Sequence, residues 1–275
     1  MTKIIILPFL CLLVSISAAP TREAFALEKR SITGVPIDAF ELGDANLTIE
    51  LWARSPMIFS PVAMDFDAQG RLWTTEGIDY QRGMRIKQGR SIIVLEDKDW
   101  DGKADSSHVF VTEKEIRHAA LGIAVFDNRI VLSSTPSIIV YTDVNRNAVF
   151  DEGVDKREVF LTGFRDASHD HTLHAVVGAP SGQWHFSYGN RGADIKTKDG
   201  RHHISGCYYG YSDGIGKKSS DGEVYVGGMT MRVNPDGTGL TPTGENMRNS
   251  HDMFVSSYGD IYQSDNDDPA HARIS

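Results

Sequence analysis

The sequence predicts an all-β chain: a β-propeller of four-stranded antiparallel blades, incomplete, with about three and a half blades present. Three observations carry this. Short runs rich in Val, Ile, Phe and Tyr are each bounded by Gly, Asp or Asn. No stretch beyond the N-terminal apolar run holds a long helical period. One hairpin pattern returns at intervals, which marks a repeat architecture.

Taken in order, residues 1–26 read as a signal peptide. Lys3 supplies the positive charge, and Ile4 to Ile16 is apolar but too short to span a bilayer. Ala18, Ala19 and the Ala24-Phe25-Ala26 triplet offer cleavage positions. The mature chain is therefore expected to be secreted or periplasmic. Cys11 has no small-residue lipobox before it and leaves with the signal. Cys207 then stands alone, is denied an internal disulfide, and reads as a small core hydrophobe. Residues 27–46 form a polar N-terminal arm, and 47–275 the partial propeller. The net charge of −9, with no basic run, argues against nucleic-acid partners.

Strands are expected at Thr48–Ala53, Val62–Phe66, Arg71–Thr75, Ser91–Leu95, His108–Thr112, Leu121–Phe126, Ile130–Ser134, Ser137–Thr142 and Glu158–Thr162. The repeating hairpin begins at Val62, with its turn at Asp67-Ala68-Gln69-Gly70. It returns at Gly122 to Leu132, at His174 to Phe186 (turn Pro180-Ser181-Gly182) and at Met253 to Tyr262 (turn Ser257-Tyr258-Gly259). The copies lie about 50 to 80 residues apart, room for one blade and its loops. A blade cannot bury both faces alone, so blades pack around an axis. Three units and the start of a fourth fit before Ser275, and the expectation is a truncated or fragmentary product.

The clearest chemical motif is Asp97-Lys98-Asp99-Trp100-Asp101-Gly102-Lys103-Ala104-Asp105. Asp97, Asp99, Asp101 and Asp105 hold positions 1, 3, 5 and 9 of a calcium loop. Gly102 permits the sharp turn, and Lys103 would ligate through its backbone carbonyl. His108 stands where an EF-hand has Glu, so this is a strand–loop–strand calcium site. A second loop keeps Asp143, Asn145, Asn147 and Asp151 in the same positions but loses the glycine and two charges, which predicts weaker calcium binding.

Two further clusters carry polar chemistry. His169-Asp170-His171-Thr172-Leu173-His174 precedes the third hairpin. Histidine there can act as general base or metal ligand, with a carboxylate to orient it, although the spacing matches no zinc signature. Ordinary turn histidines are the alternative. Gly244 to His251 contains Arg248, a donor fork suited to a carboxylate, and the following Asp265, Asp267 and Asp268 offer oxygens to a cation. A salt-bridged surface loop is the alternative there.

On these residues the chain resembles the quinoprotein glucose/sorbosone dehydrogenases, and more closely the N-terminal propeller of membrane-bound dehydrogenases of planctomycete-type bacteria. The matching features are Ser60-Pro61-Val62-Ala63-Met64-Asp65-Phe66-Asp67 through Gly70-Arg71-Leu72-Trp73 to Glu76, Asp170-His171 before the Gly178-to-Gly182 turn, and Arg248-Asn249 before Tyr258 to Asp268. The resemblance implies a six-bladed ring with pyrroloquinoline quinone over its axis, and oxidation of a sugar or alcohol. It implies that His171 is the base, Asp170 its orienter, and Arg248 and Asn249 the cofactor contacts, with calcium polarising the quinone. His174 competes for the base role. Longer relatives carry a downstream c-type cytochrome domain, and no Cys-x-x-Cys-His occurs here, so this product alone is expected to be inactive. A non-catalytic calcium propeller binding carbohydrate or a protein, and a calcium-dependent lactonase-like hydrolase, are the rival readings.

Overall fold

The structure is a computed structural model that describes residues 40–76, 90–113, 120–165, 170–207 and 215–266, with the backbone of 273–274. The signal segment 1–26, the first part of the arm, His169, Asp267 and Asp268 lie outside the described residues.

Every named element is a strand, and the sheets follow the sequence. The first is a four-stranded meander of β1 (Pro61–Phe66), β2 (Leu72–Glu76), β3 (Arg90–Glu96) and β4 (Ser106–Glu113). The second contains β5 (Gly122–Phe126), β6 (Arg129–Ser134), β7 (Ser137–Thr142) and β8 (Lys156–Phe164). The third starts with β9 (Leu173–Gly178) and β10 (Trp184–Tyr188). The chain then leaves that sheet to form a hairpin, β11 (Ala193–Lys196) and β12 (His203–Gly206), which extends the second sheet along β8. It returns with β13 (Met229–Val233) and β14 (Thr241–Gly244) to complete the third. A fourth sheet has β15 (Met253–Val255), β16 (Ile261–Asp265) and the short β17 (Arg273–Ile274). The sheets are the blades of a β-propeller and do not close a ring among the described residues.

Burial alternates along the strands as stacked blades require. On β7, Ile138 and Val140 enter a core shared with the third blade, while Ile139 and Tyr141 enter one shared with the first. On β6, Val131 faces one way and Ile130 and Leu132 the other. A sheet covered on both faces has no polar side to show, so β7 reads as the nearly unbroken apolar run Ser-Ile-Ile-Val-Tyr-Thr. Trp73, Phe110 and Tyr141 meet edge-on in the core shared with the first blade. Phe126 stacks on Trp184 in the core shared with the third, with centroids 5.1 Å apart.

Thr48–Ala53 forms no strand. It is an extended cover instead: Trp52 and Ile58 pack on Leu72, Ile93 and Leu95, closing the outer face of the first blade. The alternating Ile49, Leu51 and Ala53 are only half-buried, the buried Trp52 is out of phase with them, and the segment pairs with no strand among the described residues.

The inner strands β1, β5, β9 and β15 lie side by side in that order, which places them around a common axis. A polar bond crosses each junction near the end where these strands begin. Thr75 Oγ1 donates to the Ala120 carbonyl (2.8 Å), the Leu173 amide donates to Thr135 Oγ1 (3.4 Å), and Ser187 Oγ donates to the Ser250 carbonyl (3.1 Å). That end carries the polar clusters described next.

Candidate functional site

The third blade presents two unlike faces. On β10, Trp184, Phe186 and Tyr188 join the core towards the second blade, while His185 and Ser187 turn the other way and are buried towards the fourth. On β9, Leu173 and Val176 enter the same core, and His174 lies off it. The junction of blades three and four is therefore polar, and the predicted site residues gather at its upper edge.

His171 sits in the turn that opens β9. Its Nδ1 donates to Asn190 Oδ1 at 2.9 Å, so in the neutral ring the lone pair is on Nε2. Asp170, the expected orienter, lies with Oδ1 4.0 Å from Nε2. The group bonded to Nδ1 is thus Asn190, a neutral acceptor nineteen positions downstream. Asn190 is itself fixed, because its amide donates to the Arg248 carbonyl (2.9 Å). The adjoining turn is tied to the histidine loop by Gly189 N to Thr172 O (2.7 Å) and Arg191 N to His171 O (3.2 Å). Gly189 has no room for a side chain: a Cβ there would stand 2.6 Å from Asn249 Oδ1 and 2.7 Å from the His171 backbone.

Arg248 and Asn249 arrive from the strand pair of the next blade. The Asp265 carboxylate at the end of β16 accepts the Arg248 amide (2.9 Å) with one oxygen and the Asn249 amide (2.7 Å) with the other. Asp265 was read as an oxygen offered to a cation; it is buried, and both oxygens clamp backbone amides. The Arg248 guanidinium donates to the Asn266 carbonyl and side chain. Asn249 Oδ1 accepts from His174 Nε2 at 2.6 Å.

His174 is fully buried. Burial, with His251 alongside it at a ring separation of 4.8 Å, holds its pKa down to about 3, so the ring is neutral at physiological pH. His174 donates its Nε2 proton to Asn249 and is buried, so among the described residues it offers no base to solvent.

An open cavity of about 710 Å³ runs along the axis, and of this cluster only His251 lines it. Its walls are the inner strands β1, β5 and β9 and the approach to β15 at His251 to Met253.

The two acidic loops lie at the other end. Leu95 pairs with Leu72, and Leu72 with Phe66, so the loop after β3 shares its end with the close of β1. In that loop one oxygen each of Asp97, Asp99 and Asp105 lies within 4.8 Å of the others. Asp97 Oδ1 is buried with no hydrogen-bond partner among the described residues, while Oδ2 accepts the Gly102 amide at 2.9 Å. Asp101 accepts the Lys103 amide (2.9 Å). The second loop copies the backbone: Trp100 and Gly102 have positive φ in the first, Arg146 and Ala148 in the second. Its polar groups are arranged differently. Asn145 and Asn147 donate their side-chain amides to Asp151 at 2.7 and 2.8 Å, and Asp143 accepts the amides of Asn147 and Ala148. Two amide groups thus stand against Asp151, and His108 Nε2 bonds to the Ala148 carbonyl (2.9 Å), joining the two loops.

Asn190 and Gly189 were not foreseen, and His251 closes the Gly244-to-His251 cluster with no role assigned to it there. Asn190 lies in an ordinary-looking Gly-Asn-Arg-Gly turn whose importance depends on long-range contact. Gly189 and Gly192 flanking it were the available signal.

The sequence matches the family model described as a domain of unknown function, DUF7133, over residues 37–274, and the chain belongs to that family. No curated protein matches it. Among solved structures, it is similar to the calcium structure of a Trichoderma reesei carbohydrate-active enzyme of family AA12, at 12 % identity and a TM-score of 0.50, over 78 % of this chain and 47 % of that one. The iodide structure of the AA12 enzyme gives 14 % identity and 0.49, over 79 % and 47 %. The holo form of the pyranose dehydrogenase PQQ domain from Coprinopsis cinerea gives 16 % and 0.45, over 79 % and 48 %. At these identities the likeness is one of fold. The chain spans about half the length of these structures.

Proposed function

We propose that this member of the DUF7133 family carries part of a quinoprotein-type dehydrogenase site that oxidises a hydroxyl of a sugar or alcohol. The observation that supports it most is His171, its Nδ1 proton held by Asn190, standing with Arg248 and Asn249 at the end of the ring where the inner strands begin.

The chain's own residues fit a small, planar, carboxylate-bearing group. Arg248 offers a planar cationic fork and Asn249 a side-chain amide held by His174, and bare Gly189 lets Asn249 and the His171 loop pack close together. Pyrroloquinoline quinone, when bound, supplies the hydride acceptor. His171 Nε2 takes the proton of the substrate hydroxyl, and Asn190 keeps the ring in the tautomer and orientation for that transfer. Asp170 adds negative charge near the imidazolium that results.

We further propose that calcium sits in the Asp97 loop, where a buried carboxylate oxygen lacks a partner and three carboxylates converge. In the second loop the Asn145 and Asn147 amides already hydrogen-bond Asp151, so a cation there competes with them. Export after cleavage of residues 1–26, and electron transfer to a c-type cytochrome domain or protein, complete the proposal. No helix among the described residues is long and apolar enough to cross a membrane.

The test is dye reduction by the longest gene product containing this chain, supplied with calcium and the quinone and offered aldoses and simple alcohols. Turnover that needs the quinone and disappears in His171→Ala is expected. Sugar binding without turnover would favour the non-catalytic propeller, and lactone hydrolysis without quinone the hydrolase; either would replace this reading.

A further inference from the structure

We infer that His174 is a positioning residue: it fixes the amide of Asn249 in one orientation, as a hydrogen-bond donor to a bound oxygen-rich ligand.

The argument starts from chemistry. An Asn side chain has an acceptor end and a donor end of nearly equal size, and a loose amide can present either. Here the acceptor end is taken. His174 Nε2 lies 2.6 Å from Asn249 Oδ1, and an oxygen can only accept, so the ring must carry its proton on Nε2. The Nδ2 protons are then the donors that the side chain presents away from His174.

The hold is made on several sides. His174 stands on β9 of the third blade and Asn249 in the approach to β15 of the fourth, so the bond spans the blade junction. The Asn249 backbone N–H is clamped by Asp265, and Gly189 is bare against the side-chain Oδ1. His174 is shut off from solvent and stays neutral, and the charged or titratable groups around it are His251, His171 and Asp170. A protonated His174 would still donate from Nε2. It would also bring a second proton to Nδ1, a buried atom with no partner among the described residues. The neutral Nε2–H form is the one this pocket holds.

This inference shares its ligand with the reading above, and otherwise concerns only the chain's own bond. Its test separates the two. The chain is labelled with ¹⁵N at His and Asn and compared with His174→Gln, whose Nε2 can replace the ring donor, and His174→Leu, which has none. The expected result is an Nε2–H imidazole at residue 174 that does not titrate between about pH 5 and 8, where an ordinary histidine does. The Asn249 side-chain amide should give a sharp, slowly exchanging pair in the parent and in His174→Gln, and an averaged one in His174→Leu. Quinone titration of the same three proteins should show about a tenfold loss in His174→Leu and recovery in His174→Gln, the scale of one positioned hydrogen bond. An Nδ1–H ring, a ring that titrates normally, or an Asn249 amide unchanged in His174→Leu overturns the inference. If no protein, parent included, binds the quinone, the proposed cofactor fails, while the NMR signals still decide the positioning role. Should His174→Leu not fold, His174→Gln alone decides: it must keep the Asn249 amide signal of the parent.

Discussion

The clasp between the first two blades gives the most quantitative expectation. Glu113, buried at the end of β4, accepts from the Tyr141 hydroxyl on β7 and from Arg157 Nε on β8 at 2.7 Å. Burial first, and then the neighbouring carboxylate, push the Tyr141 hydroxyl far above the ordinary phenol range, so it remains a donor at every working pH. Replacing Tyr141 with Phe removes one bond to a charged acceptor and leaves the Arg157 pair intact. Such bonds contribute roughly 1.5–3 kcal/mol. Replacing Arg157 with Met takes one counter-charge from the buried Glu113 carboxylate, and breaking a buried pair this way costs about 3–5 kcal/mol. Arg157 is partly exposed, its side chain 28 % accessible, so the lower end applies. In a domain of this size each kcal/mol moves the melting temperature about 2–4 °C. Differential scanning calorimetry should therefore rank Arg157→Met below Tyr141→Phe, with losses of roughly 6–12 and 3–12 °C. Adding Glu113→Gln to Arg157→Met should recover much of the loss, because the buried charge that Arg157 opposed is gone. If Arg157→Met melts within a degree of the parent, or Glu113→Gln rescues nothing, the clasp is solvent-screened and the argument is wrong.

Calcium should raise the melting temperature of the parent, by about 2.7 kcal/mol of stability at a hundredfold excess over the dissociation constant, and Asp97→Asn should abolish the rise in the same calorimeter. His174 gives a pH signature. Its folded pKa of about 3 lies below its ordinary 6.5, so its contribution is complete above pH 6.5 and is lost as pH falls towards 3. Urea titrations should lose roughly 2 kcal/mol from this group between pH 6.5 and 5, and His174→Gln should flatten that part of the profile. His185, also depressed by burial, acts in the same direction and persists in the variant. Gly189→Ala places a Cβ 2.6 Å from Asn249 Oδ1, and should cost roughly 1–3 kcal/mol by urea titration while weakening quinone binding.

Much of the fold was legible because each expected strand between residues 62 and 162 reports its own burial. The run Ser137 to Thr142 is apolar on both faces because a blade lies on each side of it. The hairpins at Ala193–Gly206 and Met229–Gly244 passed unread, although Asp199-Gly200 and Pro235-Asp236-Gly237 mark their turns. What hid them is topology: the first pairs with β8 of the preceding blade, and no local pattern reports which sheet a hairpin joins. Within the site, His171, Arg248 and Asn249 were visible as polar residues before inner strands. Asn190 was not, because its bond to His171 depends on a turn after β10 folding back over β9. Asp265 could be seen as an acidic residue, yet whether its oxygens meet a cation or two backbone amides is decided only by the neighbouring loop.

The central claim is that loops of the third and fourth blades assemble one site at one end of the axis. Titration of the chain with pyrroloquinoline quinone in calcium, followed by fluorescence, tests it most directly. Saturable binding to one site is predicted, weakened at least about tenfold by Arg248→Ala through loss of the charged fork and unaffected by Tyr258→Ser, which alters the exposed turn between β15 and β16. Absence of saturable binding, or equal weakening by both substitutions, would contradict it.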